Sequence, residues 1–387
     1  MNRLPEPDAR TLADSRALEA RIREAIEAAG GVLRFDRYMD MALYDPDYGY
    51  YSSGLAKFGP GGDFVTAPEL GPVFGRCLAR QVAEVLAHLG GGEVLEFGGG
   101  SGALAVELLQ ALARLDRLPR RYLLLEPSPV LRARQQEVLR RALPELLPRV
   151  QWIDRLPQAF EGVVIANEVL DAMPVRRFGM SAGGAYEIGV GLDGGRLVDR
   201  PMPAADDLRA WLSKAGLEGL PAGFRSEWNQ ALPGWVAALG ALLARGVILL
   251  ADYGWSRAEY YHQQHAEGTL VCHYRHRVHD DPYFLPGAQD ITASVDFTAV
   301  AEAADAAGLA VLGHAPQNAF LIGAGLEAVH RELLAGADAA RAAMLSAEIQ
   351  KLMLPGQMGE RFRVMALGRC YDAPLCGFGW QDHRHRL

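Results

Sequence analysis

The chain has 387 residues, half of them hydrophobic and 22% charged, with a formal net charge of -8. That length allows one large domain with additions or two domains, and the balance is that of an ordinary soluble globular protein. The negative charge argues against a nucleic-acid partner, which needs a basic field, and no apolar run approaches the roughly 18 residues of a bilayer span. Cys77, Cys272, Cys370 and Cys376 show no CxxC spacing, so free thiols in a reducing compartment are expected. The N-terminal stretch lacks the apolar core of a signal peptide, and a cytoplasmic protein is the expectation.

In chain order, apolar residues at helical spacing predict a helix from about Arg10 to Ala29, ending at Gly30-Gly31. A second short helix covers Phe35 to Leu43. The stretch "YDPDYGYYSSGLAKFGPGGDFVTAPELG" reads as a long ordered loop whose tyrosines pack beneath it. Its Thr66 and Glu69 have the spacing of a capping box before a helix to about Leu89. Buried strands are expected at Val94–Phe97, Tyr122–Leu125, Val150–Ile153, Val163–Ala166 and Val247–Ala251. Helices at Ala103–Leu115 and Val130–Leu143 follow the first two, which indicates a parallel sheet wound on both faces. Near the end, "GLAVLGHAPQNAFLIGAG" reads as two antiparallel strands joined by a proline turn. The C-terminal "DHRHRL" reads as a frayed tail.

The predicted class is α/β: a mostly parallel Rossmann-like sheet with an antiparallel terminal strand. A helical and loop segment over 1–90 precedes a sheet domain over 91–330, and a helical segment covers 331–387. Insertions interrupt the sheet domain at about 178–243 and 254–297. The first contains a glycine-rich hairpin, and the second is polar and aromatic, with the length of a functional lid.

The stretch "VLEFGGGSGALAVELL" carries the chemistry. Gly98, Gly100 and Gly102, with Gly99 and Ser101 between them, match the GxGxG loop of S-adenosylmethionine (SAM) sites. Gly98, Gly100 and Ala103 match the dinucleotide fingerprint equally well. Glu96, just ahead of the loop, would oppose a pyrophosphate but favours the sulfonium and ammonium of SAM. Glu126, after "YLLL", can accept from both ribose hydroxyls of either cofactor. Asp154 is a candidate acceptor for the adenine amine or a plain turn residue. Asp63 and Thr66 are candidates for a loop folding over SAM.

The apolar strand in "GVVIANEVLDAMPV" ends in Asn167 and Glu168, with Asp171 three residues on. Strand carboxyl ends are where open α/β sheets gather reacting groups, although Asn167 could instead cap a helix. Asn167 is assigned to the cofactor, Glu168 and Asp171 to catalysis. His273, His276 and His279 lie beside Cys272, but the spacing fits no zinc motif and Arg275 and Arg277 would repel a cation. No metal is expected, and this segment reads as a lid or substrate wall.

Together the segments "GGDFVTAPELGPVFG", "VLEFGGGSGAL", "LLEPSPVLRARQ", "ANEVLDAMPVRRF", "ADYG", "GTLVCHYRHRVHDDPYFLPGAQDITASVDF" and "MLPGQMGERFRVMAL" resemble one family. It is the family of SAM-dependent methyltransferases related to the mitochondrial complex I assembly arginine methyltransferase. The resemblance implies a class I sheet of order 3-2-1-4-5-7-6, SAM as cofactor, the glycine loop around it and Glu126 at its ribose. It also implies a protein substrate, an arginine of a respiratory complex I subunit in the mitochondrial relative. The family loop usually reads Gly-Pro-Gly, where this chain has Gly98-Gly99-Gly100, so a less preorganised loop is expected.

A guanidinium is a poor nucleophile because its lone pair is delocalised and its pKa exceeds ~12. Two carboxylates gripping its nitrogens could orient the plane and localise charge, and Glu168 and Asp171 are the candidates. Small-molecule methylation, an NAD-dependent oxidoreductase and a non-catalytic assembly factor are the competing functions.

Overall fold

The computed structural model describes residues 4–52 and 66–387. The expectation for Asp63 lies outside the described residues. Helix α1 (Ala9–Ala28) and helix α2 (Phe35–Tyr44) form where the apolar spacing places them. The capping box does not form. Thr66 stands at the N-cap of α3 (Ala67–Leu70) without a side-chain bond, and α4 (Pro72–Leu89) starts afresh after Gly71. Pro72 has no N–H to continue the first helix, and the Glu69 side chain is drawn away to Ser101.

The central sheet contains β1 (Glu93–Phe97), β2 (Tyr122–Leu125), β3 (Val150–Ile153), β4 (Phe160–Asn167), β5 (Leu243–Trp255), β6 (Ala310–Pro316) and β7 (Phe362–Arg369). Their order is β3-β2-β1-β4-β5-β7-β6. The first five pair in parallel, and β7 runs antiparallel to both β5 and β6. This is the order the resemblance implies. Alternate residues feed two cores. Val94, Val163 and Val247 join one with α4 and α5 (Ala103–Arg114). Leu95, Val164 and Ile248 join the other with helices 232–242 and 297–306. Both faces are covered, so the strands carry unbroken apolar runs instead of alternation.

Two expectations near the C-terminus are corrected. "NAFLIGAG" is no strand: β6 stops at Pro316, and Gln317–Gly323 is a helix with Ala319, Phe320 and Leu321 buried. A short apolar run reads alike as buried strand or buried helix. The antiparallel partner comes from β7 instead, so the stretch 331–387 is not helical throughout as expected: Phe362–Arg369 is a strand paired on both sides. Nor is the tail frayed. His383 N–H donates to the His314 carbonyl at 2.5 Å, the His314 N–H donates to Asp382 at 3.3 Å, and Arg386 pairs with Glu259. The tail thereby covers the open edge of β6.

The first insertion makes a separate sheet from strands Arg176–Ser181, Gly184–Asp193, Arg196–Pro203 and Arg225–Trp228, joined by Leu33–Arg34. Its hairpin turns on Gly194 and Gly195, both at positive φ. The second insertion forms strands Val271–Tyr274, Arg277–His279 and Asp290–Thr292. It is anchored on the N-terminal segment: Arg275 donates to the Glu6 carbonyl and pairs with Asp8. No described helix is long and apolar enough to cross a membrane.

Candidate active site

β1 delivers the chain into three left-handed turns, Gly98 at φ 60°, Gly100 at φ 52° and Gly102 at φ 88°. These are conformations that glycine adopts without the cost a Cβ imposes. Ala103 is already the first residue of α5, so the third position that demands glycine is Gly102, in the GxGxG register. Gly99 keeps an ordinary φ, but a Cβ there would fall 2.7 Å from Leu124 Cδ2. Close packing is what this position requires.

The loop opens on a cavity of about 740 Å³ at the carboxyl ends of β1, β2 and β4. Glu96, Gly98, Gly99, Gly100 and Ser101 line it, as do Thr66, Glu126, Asp154, Asn167, Glu168 and Asp171. Gly102 does not; its Cα faces Gln135, whose Cα would lie 3.4 Å from an added Cβ.

The acids differ in how they are held. Glu126, buried, accepts from the Ser128 N–H at 3.0 Å and from Gln135 Nε2 at 2.9 Å. Glu96 is also buried and accepts from the Tyr122 hydroxyl at 2.5 Å, and burial pushes its carboxyl up to about 7. Asp154 lies largely exposed at the rim and pairs with Arg132. Asn167 ends β4, and no helix follows it, so the capping alternative falls.

Glu168 leaves the sheet at φ 53°, a region costly for a residue with a side chain. Its Oε1 accepts from Asn167 Nδ2 at 3.1 Å and from the Ala67 N–H at 3.4 Å. The residue is half-buried, yet Oε2 is sealed from solvent without a partner among the described residues. Burial first and Asp171 second push this carboxyl up to about 8. Asp171 is buried with its Oδ1 sealed from solvent, and burial and the neighbouring Asp252 hold it well above the usual carboxylate range against the opposing pull of the Tyr253 hydroxyl.

Four features escaped the sequence reading. Asp252, fully buried on β5 just past its pairing with β4, accepts the N–H groups of Leu170 at 2.9 Å and Asp171 at 3.2 Å. It thereby fixes the turn that carries Glu168 and Asp171, and an acid closing "VILLAD" was a visible signal. Asp290, from the second insertion, lines the cavity and accepts from the Tyr51 hydroxyl at 3.1 Å. Tyr51 stacks on Tyr44, whose hydroxyl donates to the Ala172 carbonyl, so these tyrosines wall the cavity instead of merely packing under a loop. Gln135 is fully buried; it donates to the Gly100 carbonyl at 3.0 Å and to Glu126, and accepts from Trp152 Nε1.

The three histidines do not converge. His273 sits on a strand opposite Val278, and His276 occupies the hairpin turn at φ 59°. Among the described residues no group of three His, Cys, Asp or Glu is arranged to hold a metal.

Residues 77–315 match a family model described as "Putative S-adenosyl-L-methionine-dependent methyltransferase". The chain belongs to this family of SAM-dependent methyltransferases. A crystal structure of a Burkholderia thailandensis protein bound to S-adenosyl-homocysteine is 45% identical to the methyltransferase, with a TM-score of 0.95 and all of both chains covered. The protein arginine methyltransferase NDUFAF7 homolog of Drosophila melanogaster is 28% identical, covering 94% of this chain and 87% of its own. The human protein arginine methyltransferase NDUFAF7 is 26% identical, covering 87% of this chain and 80% of its own.

The cofactor is SAM, and the dinucleotide alternative is set aside. The residues present fit it: a tightly packed cradle of left-handed glycines with carboxyls on either side suits an adenosine carrying a cationic amino-acid tail. The cytoplasmic expectation is corrected, because both of these NDUFAF7 relatives are mitochondrial proteins. Mitochondrial targeting segments are amphipathic and arginine-rich, so the apolar-core criterion behind that expectation does not bear on them.

Proposed function

We propose that this methyltransferase transfers the methyl group of SAM to an arginine guanidinium of a protein, a respiratory complex I subunit being the first to test. The observation that carries the reading is the pair Glu168 and Asp171. Both line the cavity at the carboxyl end of β4, beside the glycine loop. Two acids on one wall of a cavity that, among the described residues, no lysine or arginine lines suit a cation with several N–H donors. A guanidinium has five in a planar fork. Methyl-donor chemistry comes from SAM; the chain's own work is to orient the acceptor and stabilise its charge.

In this reading Glu168 holds a proton at neutral pH while the site is empty and loses it to solvent as the cation enters, and burial with Asp252 raises the proton affinity of Asp171 as well. The carboxylates then accept from guanidinium nitrogens other than the attacking one, leaving positive charge localised away from it, and the attacking nitrogen sheds its proton to solvent as it takes the methyl group. Asp252 positions both acids through the backbone without touching the acceptor. Asn167, Thr66 and the glycine loop with Glu96, Glu126 and Asp154 serve the cofactor, with Gly102 shaping the loop from behind. The NDUFAF7 relatives, named protein arginine methyltransferases, support the choice of acceptor.

The test incubates the protein with radiolabelled SAM and a lysate of cells lacking it, then digests any labelled band to its modified residue. Methylarginine is expected, and Glu168→Gln and Asp171→Asn should each lower its formation by 100-fold or more, roughly the loss of a buried charge-assisted contact, with S-adenosyl-homocysteine binding intact. Label on a small molecule or on another residue type would overturn the assignment.

A further inference from the structure

The cavity is lined by seven acids and, among the described residues, by no lysine or arginine. SAM brings a sulfonium and an α-ammonium to it. Most of the acids are already committed: Glu126 to Ser128 and Gln135, Asp154 to Arg132, Glu96 to Tyr122. Glu168 and Asp171 follow the end of β4, and Asp290 accepts from the Tyr51 hydroxyl. Glu69 differs in reaching the glycine loop itself. Its residue type and spacing suit a helix cap, yet its side chain reaches across to accept from the Ser101 hydroxyl in the glycine loop. Ser101 Oγ in turn accepts from the N–H of Ala103, the first residue of α5. Glu69 is half-buried, lines the cavity and is held against the glycine loop through Ser101.

We propose that Glu69 is the carboxylate that receives the α-ammonium of the cofactor, held in position by the Ser101 hydroxyl. A half-buried carboxylate with one oxygen fixed by a serine keeps lone pairs for a cation, and a charge-assisted hydrogen bond of this kind is among the strong ones. The assignment rests on SAM as cofactor and is independent of what accepts the methyl group. It also gives the Thr66–Glu69 turn two ends in the site, since the Ala67 N–H of the same turn donates to Glu168.

The test is calorimetric and needs no methyl acceptor. S-adenosyl-homocysteine is titrated beside its deaminated analogue, which keeps the carboxylate but lacks the ammonium, and beside methylthioadenosine, which lacks the whole tail. The wild-type protein should prefer S-adenosyl-homocysteine over the deaminated analogue by about 10- to 100-fold, the range for a hydrogen bond to a charged group. Glu69→Gln should abolish that preference and leave methylthioadenosine within about twofold. Ser101→Ala, which keeps the acid but frees it, should reduce the preference and serves if Glu69→Gln does not fold. The assignment is overturned if the wild type shows no preference or if Glu69→Gln keeps it. Equal weakening of methylthioadenosine and S-adenosyl-homocysteine in Glu69→Gln would likewise sink it, since that is what a loosened cavity gives.

Discussion

Replacing Glu168 by glutamine should flatten the pH dependence of stability of the cofactor-free protein. The Glu168 carboxyl sits at about 8 in the folded chain, against 4.5 as its ordinary value. Between those limits the folded protein holds a proton that the unfolded chain has released, so stability falls as pH rises through this window. From pH 6 to pH 8 the contribution of this one group to that fall is about 2 kcal/mol. Burial is the larger cause and the Asp171 charge the lesser, so the glutamine variant also eases the titration of Asp171. Urea denaturation of wild type and Glu168→Gln at pH 6, 7 and 8 measures the difference directly. The wild type should lose roughly 2 kcal/mol more than the variant across that range. Parallel pH profiles for the two proteins would refute the claim that Glu168 folds into the site with its proton.

Gly102→Ala forces a Cβ into a conformation at φ 88° and 3.4 Å from Gln135 Cα; stability should drop by about 1–2 kcal/mol in denaturant titration, with a weaker affinity for S-adenosyl-homocysteine. Gln135→Leu removes a donor to Gly100 and Glu126 and strands the Trp152 indole N–H. A loss of about 1–3 kcal/mol is expected, along with a change in tryptophan emission and an affinity for S-adenosyl-homocysteine lowered about tenfold.

The central sheet was legible because its strands are buried on both faces and bounded by turn residues. What failed did so for local reasons. Phe362–Arg369 inserts between β5 and β6, and nothing in its own apolar pattern reveals which neighbours it will join. "NAFLIGAG" turned helical because Pro316 ends the strand and the following apolar residues pack equally well as one buried turn. In the site, the strand-end rule that picks out Glu126 and Glu168 applies as well to Asp252, and only its apolar neighbourhood hid it. Asp290 and Tyr51 had no such signal. They lie in stretches without periodicity and are brought to the cavity by tertiary contact between the second insertion and the N-terminal segment.

That convergence explains a feature that stability alone would disfavour. Glu168, Asp171 and Asp252 lie within one turn's reach, each pushed up by burial and by a neighbouring acid. Well-packed apolar residues in the same volume would serve the fold better, because an unpaired buried carboxyl costs free energy whether it is charged or left unsatisfied. Nor is Asp252 idle: with both Leu170 and Asp171 N–H groups on one oxygen and the Tyr253 N–H on the other, it holds the strained turn that keeps Glu168 at positive φ. A scaffold acid thus spends its hydrogen bonds on the turn that carries two others. Strain and clustered acids at one cavity wall, above a sheet whose cores on both faces are apolar, are what a site built to receive a cation requires.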